Sequence, residues 1–429
     1  MRRTGRSAAG IRTGALVGAL AALVLLAAPA PAQKKKLDDP ALCTWCHNDP
    51  KLLEAAKLVS HGPFAFGKYT SEKAQELLPE VEFRWLETEH FRIGFCLGPH
   101  KVKLEEKKKI IAELTRLKAA LPDIKPETAI LDPWMRTHLY AQRIEEIYQR
   151  FIDLLRLGSQ QFSDGSGKWT GKQYMGEGPY LGMKEKYEVL VLPSEAAHTQ
   201  FLTVNCGLPM KKSQRWHYIE RGCIGIICHA QQGQLRTDGA LHGHLAFNLA
   251  HNLYDGLNHY SYDTPIWYHE GLAHLMEREI DPNFNSFDSG EGATEDSTSK
   301  ADWRPEVLKL LTFDKAPRLA ELMQLSSYAE LKLPHHFTTW SMVDFLVKEK
   351  PEEFAKFLWK MKISADEKGL PTGAKLAEWH RSAFKEMLGW NYVEFDEAWR
   401  AWAKEAYKPG IPKSGDPVPV IPGRPLGGG

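Results

Sequence analysis

An α+β fold is predicted, with a strand-rich block followed by a long helical block and a short cysteine-bearing segment ahead of both. Three observations carry it. Phe83-Arg84-Trp85-Leu86, His90-Phe91-Arg92-Ile93-Gly94-Phe95 and Tyr187-Glu188-Val189-Leu190-Val191-Leu192 have the aromatic and β-branched texture of paired strands. From Trp303 to Tyr407 the pattern is helical, with Trp340, Phe345, Leu346, Phe354, Phe357 and Leu358 supplying core faces. A hydrophobic content of 43% with 13 Trp lets the 429-residue chain bury a large core.

In chain order, Arg2, Arg3, Arg6 and Arg12 precede an apolar run from Gly14 to Ala28 that ends in Ala30-Pro31-Ala32. That is the charge, length and small-residue pattern of a signal peptide over residues 1–32, and the run is short for a membrane span, which takes roughly 20 residues. The mature chain is therefore expected to be periplasmic or secreted with no membrane span, a retained anchor being the alternative. Residues 33–80 read as a small, mainly helical module with a helix from Lys51 to Val59, and residues 81–407 as the main domain. There, helices are expected over Lys103–Leu121 and Pro133–Leu157, the latter with Ile144, Ile147, Phe151 and Leu154 on one face. Ser194 caps a helix running to Phe201. A strand from Cys223 to His229 leads to helices over Ala240–Tyr254 and Pro265–Glu279. Residues 281–303 read as a polar insertion, and residues 408–429 as a disordered Pro/Gly-rich tail. Fifty-five basic against 54 acidic residues leave no net field to attract nucleic acid.

Two stretches carry chemistry. Cys43-Thr44-Trp45-Cys46-His47 has the C-x-x-C-H spacing in which two thiols form thioethers to haem vinyl groups and the adjacent imidazole ligates iron. An exported chain reaches the compartment where such attachment is made, and where a bare dithiol would oxidise. A redox dithiol would want a preceding strand, which Leu37-Asp38-Asp39-Pro40 does not offer, and no second C-x-x-C completes a four-ligand zinc site. Covalent haem c on Cys43, Cys46 and His47 is therefore expected. His61, fourteen positions beyond His47, is the candidate for the opposite haem face, with His90, His100 or an open position as alternatives. This run, through Asn48-Asp49-Pro50 and on to Ser60-His61-Gly62-Pro63-Phe64, resembles bis-histidine sites of multihaem cytochromes c. That implies a redox partner protein or a bound peptide. The other cysteines, Cys96, Cys206, Cys223 and Cys228, are expected to form two disulfides. A second haem on Cys223, Cys228 and His229 is disfavoured, because positions five apart on a strand point to opposite faces.

The second stretch is the helix pair. His251 and Glu270 are separated by eighteen residues, and Pro265-Ile266-Trp267-Tyr268-His269-Glu270-Gly271-Leu272-Ala273 resembles the P-x-W-x-x-E-G-L-A stretch of exported gluzincin metallopeptidases. Their motif is H-E-x-x-H with a third ligand, a glutamate, eighteen residues later. More weakly, the resemblance covers the chain from about Phe83 to Trp402, and it implies a zincin-like fold. The chain departs from the motif where it reads Phe247-Asn248-Leu249-Ala250-His251, which puts peptidase activity in doubt. Phenylalanine cannot ligate a metal, and an amide cannot take a proton from water. A residual zinc site on His251, Glu270 and His274 stays open; His244 shares a helix face with His251. His269 and His274 do not replace the motif, since five residues turn them about 140° apart at roughly 100° per residue. The function expected from sequence is an exported haem protein, for electron transfer, redox sensing or partner binding, with an inactive peptidase-like domain. A secreted metallopeptidase with unusual ligands and a scaffold without haem are the alternatives.

Overall fold

The computed structural model describes residues 43–156, 178–258, 264–288, 293–295, 301–361 and 375–409. The expected signal peptide over residues 1–32, residues 33–42 and nearly all of the Pro/Gly-rich end lie outside them. The chain is mixed α and β, as predicted.

Six strands form one mixed sheet: β1 (Leu58–Ser60), β2 (Arg84–Thr88), β3 (Phe91–Phe95), β4 (Tyr187–Leu192), β5 (Gln214–Tyr218) and β6 (Cys223–His229), in the order β1-β2-β3-β4-β6-β5. β2 and β3 pair antiparallel, with Trp85 opposite Gly94; a Cβ on Gly94 would lie 2.6 Å from the Trp85 ring, so only glycine lets that indole lie flat across the strand. β3, β4 and β6 run parallel, and β5 returns antiparallel along β6. Every residue of β4 and β6 is buried, as befits central strands covered on both faces.

The helices that position the site are α1 (Pro50–Ala55), α2 (Leu104–Lys118), α3 (Pro133–Leu155), α4 (Glu195–Cys206), α5 (Asp238–Leu257), α6 (Ile266–Ile280), α7 (Arg304–Thr312) and α8 (Leu333–Glu349). α3 begins as its sequence dictates: the Asp132 carboxylate accepts from the amides of Trp134 and Met135, and Pro133 needs no partner in the first turn. Ile144, Ile147, Phe151 and Leu154 are buried together. Ser194 caps α4 by accepting from the amide of Ala197. α5 is buried along almost its whole length, and α6 packs between it and α8. At that second crossing a Cβ on Gly271 would lie 2.5 Å from the Thr339 carbonyl, so glycine sets how closely the two helices approach. Helices Pro351–Lys360, Leu376–Leu388 and Tyr392–Ala406 complete the helical block. No helix among the described residues is long and apolar enough to cross a membrane.

Three expectations are corrected. The helix expected over 51–59 stops at Ala55; Lys57, at φ +54°, reverses the chain and Leu58–Ser60 becomes the edge strand β1. The stretch from Cys43 to Ser60 consequently packs into the main core, through Cys43, Cys46, Leu53 and Leu58. The polar insertion is partly core: β7 (Ser286–Asp288) pairs with β8 (Ala293–Glu295), and Asn285, Ser286 and Asp288 are buried. All six cysteines are free thiols rather than partners in disulfides. Cys223 and Cys228 lie on one strand, with Cys223 donating to the Lys186 carbonyl and Cys228 packed in the core.

Candidate functional site

A tight turn builds the first centre. His47 and Asn48 take positive φ, the His47 amide donates to the Cys43 carbonyl at 3.2 Å, and the Asp49 amide to the Cys46 carbonyl at 2.8 Å. This closes Cys43 and Cys46 onto each other with their sulfurs 3.3 Å apart. Two imidazoles from elsewhere meet them. His61, just beyond β1, places Nε2 2.9 Å from the Cys46 sulfur, and His138 of α3 places Nε2 3.2 Å from the Cys43 sulfur. The four residues are all buried. His61 Nδ1 stands 3.0 Å from the Trp85 carbonyl; since a carbonyl only accepts, that nitrogen carries the proton and Nε2 turns its lone pair to the sulfur. Trp45 anchors the turn by donating to the Asp132 carboxylate at the start of α3. The hydrogen bond from Cys46 holds the Cys43 thiol well below its ordinary range against burial, with His138 adding to it, and the same contact and burial push the Cys46 thiol up.

A haem does not fit this arrangement. Its two vinyl groups stand on different pyrrole rings, so thioether sulfurs are held apart along the macrocycle edge rather than in contact. The imidazole that would reach iron, that of His47, is on the exposed side of the turn. His61 faces a sulfur, while His90 pairs with Glu145 and His100 with Glu106. Cys223 and Cys228 offer no second attachment site either, being buried in a central strand, and His229 donates to the Lys211 carbonyl.

The second centre lies where α5, α6, α8, β5 and β7 meet. Glu270 is its hub. One carboxylate oxygen, Oε2, is 3.3 Å from Nε2 of His251; the other, Oε1, is 3.3 Å from Nε2 of His274 and 3.0 Å from Nδ1 of His336. His251, Glu270 and His274 are thus brought together, but around opposite oxygens of one carboxylate rather than around one point. Each side has a donor that sequence reasoning missed: Asp288 of β7 beside His251, and His336 of α8 beside His274. His251 Nε2 and Glu270 Oε2 make no hydrogen bond, although both are fully buried.

Arg215, also missed, enters from β5. Its guanidinium bonds Asp288 Oδ2 at 2.5 Å and Asn248 Oδ1 at 3.2 Å. Asn248 donates back to the His244 carbonyl at 2.8 Å, and the His244 ring lies between the hydroxyls of Ser213 and Ser286. The Phe247 ring lies against both His251, 4.9 Å between centroids, and His274, 5.1 Å. Burial, reinforced by Arg215, holds His251 down to about 4. Burial would raise the Glu270 carboxyl, but the imidazoles of His251, His274 and His336 facing it hold it well below the usual carboxylate range. His274 is opposed by burial and yet raised, because Glu270 and Glu277 flank it. The centre therefore sets His274 between two glutamates and Arg215 on Asp288.

Tested against a hydrolytic zinc, this donor set fails in two places. His251, Glu270 and Asp288 bring three ligand atoms within 4.8 Å of one another, but Arg215 is already bonded to Asp288 and the centre is closed where a catalytic zinc keeps an open position for water. The residue beside that position is an amide, which is no base. No known family model and no curated protein matches the chain.

Proposed function

We propose that the chain is an exported protein of gluzincin-like architecture that acts by binding rather than by hydrolysis. One observation carries the reading: Asn248, in the position of the catalytic glutamate, is hydrogen-bonded to Arg215, so a fixed guanidinium takes the place of an activated water. Peptide hydrolysis on a metal needs a Lewis acid with a free position and a group that accepts the water proton. The buried centre, with Arg215 paired to Asp288, offers neither, and its polar contacts serve to fix α5, α6, α8 and β7 against one another. The leader and the resemblance around Glu270 support the export and the architecture; the electron-transfer role expected from the cysteine motif is not what the thiol geometry supports.

The test is proteolysis of an unstructured protein substrate with added zinc, with and without a chelator. No chelator-sensitive cleavage is expected, and cleavage that disappears in Glu270→Gln would overturn the reading. Restoring the motif with Phe247→His and Asn248→Glu together should add a zinc equivalent that the wild type does not hold at this centre. The affinity gain should be at least about 100-fold, since even outer partners of a metal ligand are worth 10–100-fold. Equilibrium dialysis against a competing chelator measures it; an unchanged zinc affinity would show that the helix alignment is wrong.

A further inference from the structure

We propose that Cys43, Cys46, His61 and His138 form one closed four-donor site for a borderline-soft divalent cation of the zinc class. The donor chemistry points there first. The ligand atoms of Cys43, Cys46 and His138 all lie within 4.8 Å of one another in a buried spot, and His61 joins them from a third segment; the contacts are 3.3 Å between the sulfurs, 3.2 Å from Cys43 to His138 and 2.9 Å from Cys46 to His61. Tetrahedral bonds of about 2.3 Å to sulfur and about 2.0–2.1 Å to nitrogen set donor–donor edges near 3.3–3.8 Å. The observed contacts are shorter than the matching edges, about 3.8 Å between sulfurs and about 3.5 Å from sulfur to nitrogen, by roughly 0.3–0.7 Å, so a bound cation would spread the donors slightly.

The charges also suit. Two thiolates cancel a divalent cation, so the loaded site is neutral, which is what a buried position in the main core requires. The ring orientation is set in advance, because the Trp85 carbonyl takes the proton of His61 Nδ1 and leaves Nε2 as a ligand. Four protein donors leave no open position, the mark of a structural rather than a catalytic metal. What it would fasten is specific: the turn at Cys43, the edge strand β1 and helix α3 become one unit, and the bound thiolates are shielded from oxidation in an exporting compartment. The site stands apart from the His251–Glu270 centre, so either proposal can fail alone.

The experiment uses the full chain, secreted by an expression host and purified without chelator, with elemental analysis, intact mass and an absorption spectrum. One zinc per chain is expected. A thiol-directed mercurial should release it from the wild type, and cobalt substitution should give the sulfur-to-cobalt charge-transfer band and the intense visible bands of a tetrahedral thiolate site. His47→Ala should keep the metal, whereas His138→Ala should lose it on dialysis against a moderate chelator and melt at a lower temperature. Cys43→Ser with Cys46→Ser should drop the content from one equivalent to none; if that variant fails to fold, mercurial release from the wild type decides. A mass increment of one haem with a Soret band, a Cys43–Cys46 disulfide in the freshly secreted protein, or protein that takes up neither zinc nor cobalt would each overturn the proposal.

Discussion

Replacing Arg143 with methionine is expected to cost about 3–5 kcal/mol of stability, the range for removing one partner from a buried ion-pair network. Arg143 of α3 is fully buried, and its guanidinium reaches Glu113 of α2 at 2.6 Å and Asp238, the first residue of α5, at 2.8 Å. Asp238 also accepts from the Tyr140 hydroxyl at 3.0 Å. Without the guanidinium two carboxylates are left in the core without their bonded cation, Arg136 and Lys109 acting only at longer range, while the methionine side chain fills only the volume of the stem. The penalty comes from those stranded charges. Adding Glu113→Gln and Asp238→Asn to the methionine variant should therefore recover a substantial part of the loss. Urea unfolding measures both; an Arg143→Met variant within about 1 kcal/mol of the wild type would mean that water reaches the network.

Acid should unfold the protein early. His244 and His380 are fully buried, and burial holds each down to about 3 from an ordinary value of 6.5. At His380 the reason is legible atom by atom: Nε2 accepts from the Trp267 indole N–H at 3.1 Å, so a proton there would set two donors face to face. The folded value is lowered, so below pH 6.5 the unfolded chain takes up these protons and the folded chain does not. Stability is thus lost as pH falls from 6.5 toward 3. At pH 4.5 the two residues together account for about 5 kcal/mol, from 1.36 kcal/mol per unit for each, which is comparable to the whole stability of many domains. Tryptophan fluorescence during urea unfolding at a series of pH values would follow it, and His380→Gln should remove about 2–3 kcal/mol of the loss at pH 4.5, its own share. A stability that stays level between pH 6.5 and 4.5 would contradict the assignment of both rings as neutral.

Much of the fold could be read in advance because it rests on local periodicity. The β2–β3 pair, the buried strands β4 and β6, the helices α3, α5 and α6 and the Ser194 cap of α4 all follow from spacing within a short window. The sites are different. Cys43 and Cys46 announce themselves by spacing, but His138 lies 95 residues from Cys43, in a helix whose face reads as ordinary core. Without it the thiols and His47 look like a haem attachment sequence. His61 is visible as a ligand-type residue, but sequence cannot say that a cysteine sulfur stands beside it. Glu270 and His251 are found through their eighteen-residue separation. Asp288 hides in a stretch whose serines, glycines and acids look solvated, Arg215 looks like a surface charge on a strand, and His336 is masked by its neighbour His335. Pairing between distant segments decides all four, and composition carries no trace of it.

β5 is the outermost strand at its end of the sheet among the described residues. Outer strands usually fray, and their amides trade hydrogen for deuterium through small local openings. This one cannot lift away cheaply, because its Arg215 is tied to Asp288 and Asn248 deep inside the domain. Peeling the margin would mean pulling a charge out of the centre, so the amides of Gln214 to Tyr218 that face β6 should exchange only as fast as the whole molecule unfolds.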